Sequence, residues 1–256
     1  MIQNKNIAIF FMITHSFLMS LGTVFLKILQ QHHHITQIIF CYNLLICVLL
    51  LFTTSFKHSN LKITYQNIKY HFLRSVFGFS GFTLFLHSLY NMPINEVRAI
   101  ISIDPIITSL LAVFFFKESF DVRKLTSLII SFIGAIVLLH PGNIQFSHNT
   151  ITSLLAAICF GIFNNITKSN ITIRGIEKIF YLSFFSLLYT AIPASYYWTP
   201  IKNFSVVYLT FSIAILFILS SITIFYAFNK AELSFIMPIH FVGVLITAIF
   251  GFLCFN

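Results

Sequence analysis

Nine long apolar stretches separated by short polar segments constrain the fold of this chain more than any other feature. An α-helix needs about 20 predominantly apolar residues to span a bilayer. The stretches are continuous rather than alternating, which favours helices over the strands of a membrane barrel. Backbone polar groups in lipid must be satisfied within a helix or a closed barrel, so each stretch is predicted to be a transmembrane helix. The predicted helices cover residues 7–29, 36–56, 71–91, 95–116, 122–140, 150–168, 177–197, 205–228 and 232–254.

The composition excludes a soluble protein and argues against a nucleic-acid partner. Hydrophobic residues make up 58% of the chain and charged residues 8%, whereas a soluble domain has about 25% charged residues. The net charge of +9 would suit nucleic acid, but such proteins cluster Lys and Arg on one soluble face. Here the basic residues lie between apolar stretches.

The four cysteines lack metal-ligand spacing. No cleavage site follows the first apolar stretch, which is therefore predicted to be a retained helix rather than a removable signal peptide.

The basic residues predict the orientation of the helices. Cytoplasmic segments carry an excess of Lys and Arg. With the N-terminus inside, twelve of these residues fall on the inner side and three on the outer side. The chain is therefore predicted to lie in the inner (cytoplasmic) membrane with a cytoplasmic N-terminus. The inner set is Lys5, Lys57, Lys62, Lys69, Arg74, Lys117, Arg123, Lys124, Lys168, Arg174, Lys178 and Lys230, and the outer set is Lys27, Arg98 and Lys202.

The second half of the chain matches the first half when the sequence is shifted along itself by the separation between Gly22 and Gly161. This shift, the internal offset, superimposes the apolar stretches without a gap and also places Thr108 on Thr247. The unit has five helices, and an odd number inverts the second copy, as in carriers whose halves rock about a central site. The predicted fold is an all-α polytopic membrane bundle of about nine helices, built from two inverted five-helix repeats. The repeats are predicted at 1–141 and 142–256, and the second is expected to be truncated, with four helices.

The segment from Arg74 to the HPG at 140–142 carries the most specific pattern. It contains the run NMPINEVRAIISIDPIITSLLAVFFFKES, in which Glu118 follows Pro105 by thirteen residues. The second half repeats it more loosely as KAELSFIMPIHFVGVLITAIFGFLCFN, with Pro238 in the corresponding helix. This segment resembles the EamA-type ten-helix members of the drug/metabolite transporter superfamily, in which Glu118 is a hallmark position.

The resemblance implies a secondary carrier of small metabolites, with both halves lining one pathway. Members of the superfamily move amino acids, nucleosides, sugars, drugs and S-adenosylmethionine. The chain is expected to depart from the family in lacking a tenth helix and the second Glu, and it carries Asn43 where many relatives have an Arg. The alternative from another class is a non-transporting truncated remnant or a structural membrane subunit.

Asp104 is the sharpest signal among the polar residues. It falls near the middle of the fourth predicted helix, where an ionised carboxylate is costly unless it is paired or faces water. Pro105 follows it and removes a backbone N–H, which frees the carbonyl of Ile101 for a ligand or a neighbouring hydroxyl. Asp104 is therefore a candidate binding residue or proton site, and a hydrogen bond to an adjacent helix is the structural alternative.

Other polar residues lie at comparable depth. Arg98, Lys27 and His87 could form a vestibule for a carboxylate or phosphate, although snorkelling of the long side chains is the alternative. The imidazoles of the first and ninth helices could carry a coupling proton or simply join helices. The candidate substrate-binding residues are Asp104, Arg98, Asn43, His15, His240 and Asn164, and the candidate structural residues are Arg74, Pro105, Glu118 and Pro238.

The sequence contains no catalytic, nucleotide-binding or metal-binding motif. The consecutive residues His32, His33 and His34 point in different directions and have no acidic or cysteine neighbour. The chain is therefore predicted to be neither an enzyme nor a metal or cofactor protein. The expected partners are a small-molecule substrate and the lipid bilayer, with a coupling proton and a second copy of the chain as further candidates.

Overall fold

The computed structural model describes residues 4–56, 65–119, 121–139, 147–170 and 173–255. In these ranges the chain is helical and forms no strand, and its eleven helical segments make nine long units. The segments are α1 Lys5–Leu29, α2 Ile35–Phe56, α3 Tyr65–Asn91, α4 Ile94–Ile101, α5 Asp104–Phe116, α6 Val122–Leu139, α7 His148–Ser169, α8 Gly175–Tyr196, α9 Phe204–Lys230, α10 Leu233–His240 and α11 Val242–Phe255.

The prediction of a bundle of about nine membrane helices is confirmed. Eight helical units in the described ranges are long and apolar enough to cross a membrane, and two of these are the broken pairs α4–α5 and α10–α11. The 18-residue α6 is the ninth unit. Large apolar side chains cover the outside, as a lipid solvent requires, with Phe114 and Ile192 among the most exposed. The HPG motif, Lys57 and Lys62 lie outside the described residues.

Local sequence signals set several helix ends. Ser147 and Thr150 form a capping box at the start of α7, each side chain satisfying the backbone of the other residue. Pro93 immediately precedes α4, and Pro105 occupies the first turn of α5, where the missing N–H costs no hydrogen bond. Pro105 therefore lies at the start of α5, directly after the break at Ser102 and Ile103 that separates α4 from α5.

The two breaks are related by the internal offset of the sequence. Segment α4 ends at Ile101 and α10 ends at His240, and the shift that places Gly22 on Gly161 also places Ile101 on His240. The packing follows the same relation, because α1 lies along α9 and α7 lies along α3, while α2 contacts α8. Each of α1 and α7 also packs against the second broken segment of the other half.

Several basic residues counted for the orientation lie deeper in helices than the sequence indicates. Helix α3 begins at Tyr65, six residues before its predicted start at residue 71, so Arg74 lies further inside the helix than predicted and is fully buried. Lys178 is also buried, in α8. Without Arg74 and Lys178, the predicted inner side still carries more Lys and Arg than the outer side. The cytoplasmic N-terminus stays a prediction.

Candidate functional site

A cavity of about 160 Å³ lies between the helices, and residues of α1–α5 and α7–α10 line it. The structure brings all six predicted binding residues to this one cavity, although they come from six different helical segments. Arg74, which the sequence marked only as a structural motif, lines the same space. The predicted residues at the cavity wall are His15, Asn43, Arg98, Asp104, Asn164 and His240.

Asp104 faces the cavity from the start of α5, at the break in the helix. Its side chain is 6% exposed. Its Oδ1 accepts hydrogen bonds from Thr108 Oγ1 at 2.8 Å and from Asn164 Nδ2 at 3.3 Å. No cation of the described residues lies within ion-pair distance of this carboxylate. Asp104 is thus fixed by neutral donors and is open to a cationic group in the cavity.

Arg98 reaches the cavity from α4. Its Nη2 donates to Thr23 Oγ1 at 2.5 Å, and its guanidinium lies 5.6 Å from the ring centre of Phe85. Its Nε is buried and has no hydrogen-bond partner within the described ranges. Of the three basic groups proposed for a vestibule, only Arg98 lines the cavity.

The other two members of that vestibule make contacts elsewhere. Lys27 donates to the carbonyls of Leu89 and Met92, where α3 ends, and the His87 ring lies 6.1 Å from the ring of His148. Lys27 therefore binds the end of a neighbouring helix rather than snorkelling freely. The predicted cluster of three basic groups is not assembled.

His15 and His240 meet across the interface of α1 and α10. Their ring centres are 5.8 Å apart. The Nδ1 of His15 lies 2.7 Å from Ser220 Oγ and 3.0 Å from the Ser220 carbonyl, which fixes the orientation of the ring. The two imidazoles thus form one polar face of the cavity, and Ser220 is a partner that the sequence did not suggest.

The neighbouring amides Asn164 and Asn165 have different roles. Asn164 lines the cavity beside Asp104. Asn165 Nδ2 donates to the carbonyls of Gly161 and Thr108 at 2.9 and 3.1 Å, which joins α7 to α5. Consecutive helical residues point about 100° apart, so one amide can face the cavity while the other holds two helices together. Asn43 donates to the Ile39 carbonyl of its own helix at 2.8 Å.

Arg74 is the main site residue that the sequence did not assign to binding. Its Nε donates to Thr167 Oγ1 at 3.0 Å and its Nη1 to the Lys178 carbonyl at 2.9 Å. The rings of Phe163 and Phe225 lie 4.9 and 5.7 Å from the guanidinium carbon. The available signal was an ionisable residue inside a long helix, but the predicted start at residue 71 placed Arg74 near the helix end, where a basic residue is an ordinary orientation signal.

Aromatic side chains form much of the remaining wall. They come from α2, α3, α7 and α9, so that rings surround the polar groups on several sides. With 33 Phe residues in the chain, composition alone could not select those that face the cavity. The aromatic lining residues are Tyr42, Phe79, Phe82, Phe85, Phe160, Phe163, Phe217 and Phe225.

Glu118 joins the two halves away from the cavity. Its carboxylate accepts from the backbone N–H groups of Leu233 and Ser234 at 3.0 and 2.9 Å, so it caps the start of α10. Close by, Lys124 pairs with Glu232. The helix that Glu118 caps contains Pro238 and ends at His240 in the cavity wall. Glu118 therefore supports one wall of the site from a distance.

Comparisons with known proteins agree with this architecture. The model of the EamA-like transporter family matches residues 6–140. A protein of Rickettsia bellii (strain RML369-C) named S-adenosylmethionine uptake transporter is 27% identical over 217 residues, covering 82% of this chain and 71% of its own length. The protein of the same name from Rickettsia felis is 26% identical over 193 residues, covering 73% of this chain and 63% of its own length.

A solved crystal structure extends the comparison to the fold. It superimposes with a TM-score of 0.72 over 92% of this chain and 84% of the other chain, at 10% sequence identity. At that identity the likeness shows the fold alone.

Proposed function

The chain belongs to the EamA-like transporter family, and from this premise we propose that it is a secondary transporter of a small polar metabolite, with S-adenosylmethionine as the first candidate. The observation that carries the proposal is the cavity, where a carboxylate, two guanidinium groups and two imidazoles face one space inside a membrane bundle. Polar groups are costly at such depth and mark substrate pathways. The names of the Rickettsia relatives supply the candidate substrate.

The chemistry of the cavity suits S-adenosylmethionine. This molecule combines a carboxylate, an ammonium group, a sulfonium and an aromatic base. Asp104 offers a carboxylate to a cation, and aromatic faces attract both cations and flat bases. The cavity, at about 160 Å³, is smaller than the pockets of roughly 300 Å³ or more that hold drug-sized ligands. Loading this substrate therefore requires a wider conformation, which alternating access supplies.

Alternating access rests on the proposed inverted repeats at 1–141 and 142–256. Three observations support this division. The two helix breaks are related by the internal offset. The contact of α1 with α9 has its counterpart in the contact of α7 with α3, and two lysines cap equivalent helix ends. Lys27 contacts the carbonyls of Leu89 and Met92, whereas Lys168 contacts those of Phe228 and Ala231, and the internal offset places the first pair of acceptors on the second.

A coupling proton is part of the proposal, with His15, His240 and Asp104 as candidate carriers. These side chains face the same cavity, and the two imidazoles lie side by side. An ionophore that dissipates the pH gradient across the vesicle membrane is expected to reduce uptake. Unchanged uptake would refute proton coupling but would not contradict the proposed substrate. The predicted homodimer stays a prediction.

The alternative of a non-transporting remnant or structural subunit is not favoured. A subunit that only fills space in a bundle gains nothing from charged groups without ion-pair partners around an internal cavity, because burying them costs free energy. The family is one of transporters, and we propose no catalytic activity for the chain.

The deciding experiment measures uptake of radiolabelled S-adenosylmethionine into proteoliposomes that contain the purified chain. We compare wild type with Asp104→Asn, and Asp121→Asn is the matched control because Asp121 is exposed and remote from the cavity. Wild type and the control are expected to exceed empty vesicles, and Asp104→Asn to lose at least roughly tenfold, the effect of one charge-assisted contact.

Two results would contradict the proposal in different ways. Uptake of an amino acid or nucleoside without uptake of S-adenosylmethionine would overturn the substrate and keep the transporter. Uptake equal to empty vesicles for every metabolite class would overturn transport itself.

A further inference from the structure

The guanidinium of Arg74 has an occupied side and a free side. Its Nε and Nη1 donate to Thr167 and to the Lys178 carbonyl, on α7 and α8. Its Nη2 is buried and has no hydrogen-bond partner in the part of the chain that the structure describes. The rings of Phe163 and Phe225 lie close enough for cation–π contact. Donors that remain free in the guanidinium plane fit a planar carboxylate, which accepts two parallel N–H bonds.

The charge around Arg74 is unbalanced. Among the described residues no carboxylate lies within ion-pair distance of Arg74, whose side chain is 0% exposed. The ammonium group of Lys178 lies 5.5 Å from the Phe225 ring, so a second buried cation approaches the same aromatic side chain. An unpaired buried cation is strongly disfavoured unless an anion joins it. The Arg74 region therefore favours an anion that enters through the cavity.

We propose that Arg74 forms a carboxylate-binding subsite of the cavity and that the transported molecule carries a carboxylate, which binds the free Nη2 edge. This proposal rests on the proposed function and specifies its substrate class. Asp104 and Arg74 line one cavity without pairing. A molecule with a cationic centre and a carboxylate can satisfy both at once. A zwitterion of the amino-acid type meets this requirement, whereas a simple cation or a nucleoside does not.

The two arginines of the cavity are not equivalent in this role. Arg98 is partly exposed and donates through Nη2 to Thr23, and its buried Nε has no hydrogen-bond partner among the described residues. Arg74 keeps the whole Nη2 group free. Arg74 is the more deeply buried of the two, so its charge without an ion-pair partner is the more costly and gains more from a carboxylate in the cavity.

The test compares two probes that differ by one carboxylate. S-adenosylmethionine and decarboxylated S-adenosylmethionine compete with the radiolabelled former for the purified chain in nanodiscs. Wild type is expected to bind the intact probe roughly 10- to 100-fold better, the effect of a charge-assisted hydrogen-bond pair. In Arg74→Gln the preference is expected to fall to within about threefold. Arg98→Gln and the exposed Arg123→Gln are expected to keep most of it.

The variants also show where the proposal is wrong. A preference that survives Arg74→Gln and collapses in Arg98→Gln would move the carboxylate to Arg98 and overturn the assignment. Arg74→Lys keeps a charge but loses the planar edge, so an intermediate preference is expected. This variant replaces Arg74→Gln if the latter does not fold.

A second measurement does not depend on S-adenosylmethionine. Formate is a bare carboxylate, and at equal ionic strength it is expected to raise the unfolding temperature over chloride in wild type and Arg123→Gln, but not in Arg74→Gln. An equal shift in all three would refute the subsite. A wild type that responds to formate but binds no S-adenosylmethionine would refute the proposed substrate and keep the subsite.

Discussion

A methyl group added at Gly161 is expected to push α7 away from α5 beside the cavity. The Cβ of an alanine there would lie 2.5 Å from Ile107 Cγ2 and 3.0 Å from Ile107 Cβ. Ordinary contacts begin at 3.4 Å, so the helices would have to separate by up to about 1 Å. Ile107 cannot turn away at low cost, because a β-branched side chain in a helix has one strongly preferred rotamer.

The expected magnitude follows from two opposing terms. Overpacking a tight contact lowers the free energy of unfolding by about 1–3 kcal/mol. Replacing Gly by Ala inside a helix raises it by about 1 kcal/mol. Gly22 supplies the matched control, since it is also buried inside a helix and a Cβ there meets nothing within 4 Å. The difference between Gly161→Ala and Gly22→Ala removes the propensity term and leaves the clash of about 1–3 kcal/mol.

Titration with SDS in mixed micelles, followed by the fluorescence of Trp198, measures both free energies of unfolding. Trp198 is the single tryptophan of the chain. Gly161→Ala is expected to unfold at a lower SDS fraction than Gly22→Ala, and to transport less, because Asn164 lies one turn from Gly161 and donates to Asp104. Equal unfolding of the two variants would refute the close approach of α7 and α5.

Three further changes test other contacts. Glu118→Gln weakens the carboxylate cap of α10 and is expected to cost about 0.5–2 kcal/mol in the same titration; an unchanged midpoint would contradict the cap. Lys168→Met leaves two carbonyls at the end of α9 without their donor and is expected to cost about 1–3 kcal/mol, whereas the exposed Lys202→Met should cost almost nothing. Partial burial lowers the pKa of His34 below its ordinary 6.5. The neutral imidazole therefore stabilises the fold fully above pH 6.5, and this stabilisation is lost as the pH falls from 6.5 through the lowered pKa of the folded protein. Titration of ¹³C-labelled histidine by NMR should give a value below 6.5, and a value at or above 6.5 would refute the effect.

The helix count was predictable because the bilayer fixes the length of a spanning segment. The helix breaks were less accessible. Asp104 and Pro105 marked the break in the fourth unit, whereas the last unit breaks three residues after Pro238, with only the internal offset to indicate where. Apolar length predicts that a segment crosses the membrane but is insensitive to a break inside it.

The polar wall of the cavity was largely predictable because lipid is the solvent around these helices. A polar side chain amid an apolar stretch long enough to span the bilayer needs a partner or a cavity, and Asp104, His15 and His240 stood out in this way. Arg74 did not, because a cation near a helix end is normally an orientation signal. Its depth became visible only when the helix was found to begin at Tyr65.

Residues that join helices could not be separated from residues that face the cavity by sequence alone. Asn164 and Asn165 are chemically identical neighbours, and only the rotation of α7 decides which one lines the cavity. Lys27 likewise had the depth expected of a vestibule residue, yet its ammonium group binds the carbonyls at the end of α3. The direction of a side chain depends on packing between helices far apart in sequence.

The lysine caps bear on how a carrier of this kind could alternate. Lys27 holds the end of α3 where the chain enters α4, and Lys168 holds the end of α9 where it enters α10. If α1 and α7 cross in opposite directions, as the proposed inverted repeats require, the two caps lie at opposite membrane faces. Two conformations interconvert readily only when they differ by a few kcal/mol. Equivalent contacts at both ends would keep that difference small, because closing either face would use the same local interactions.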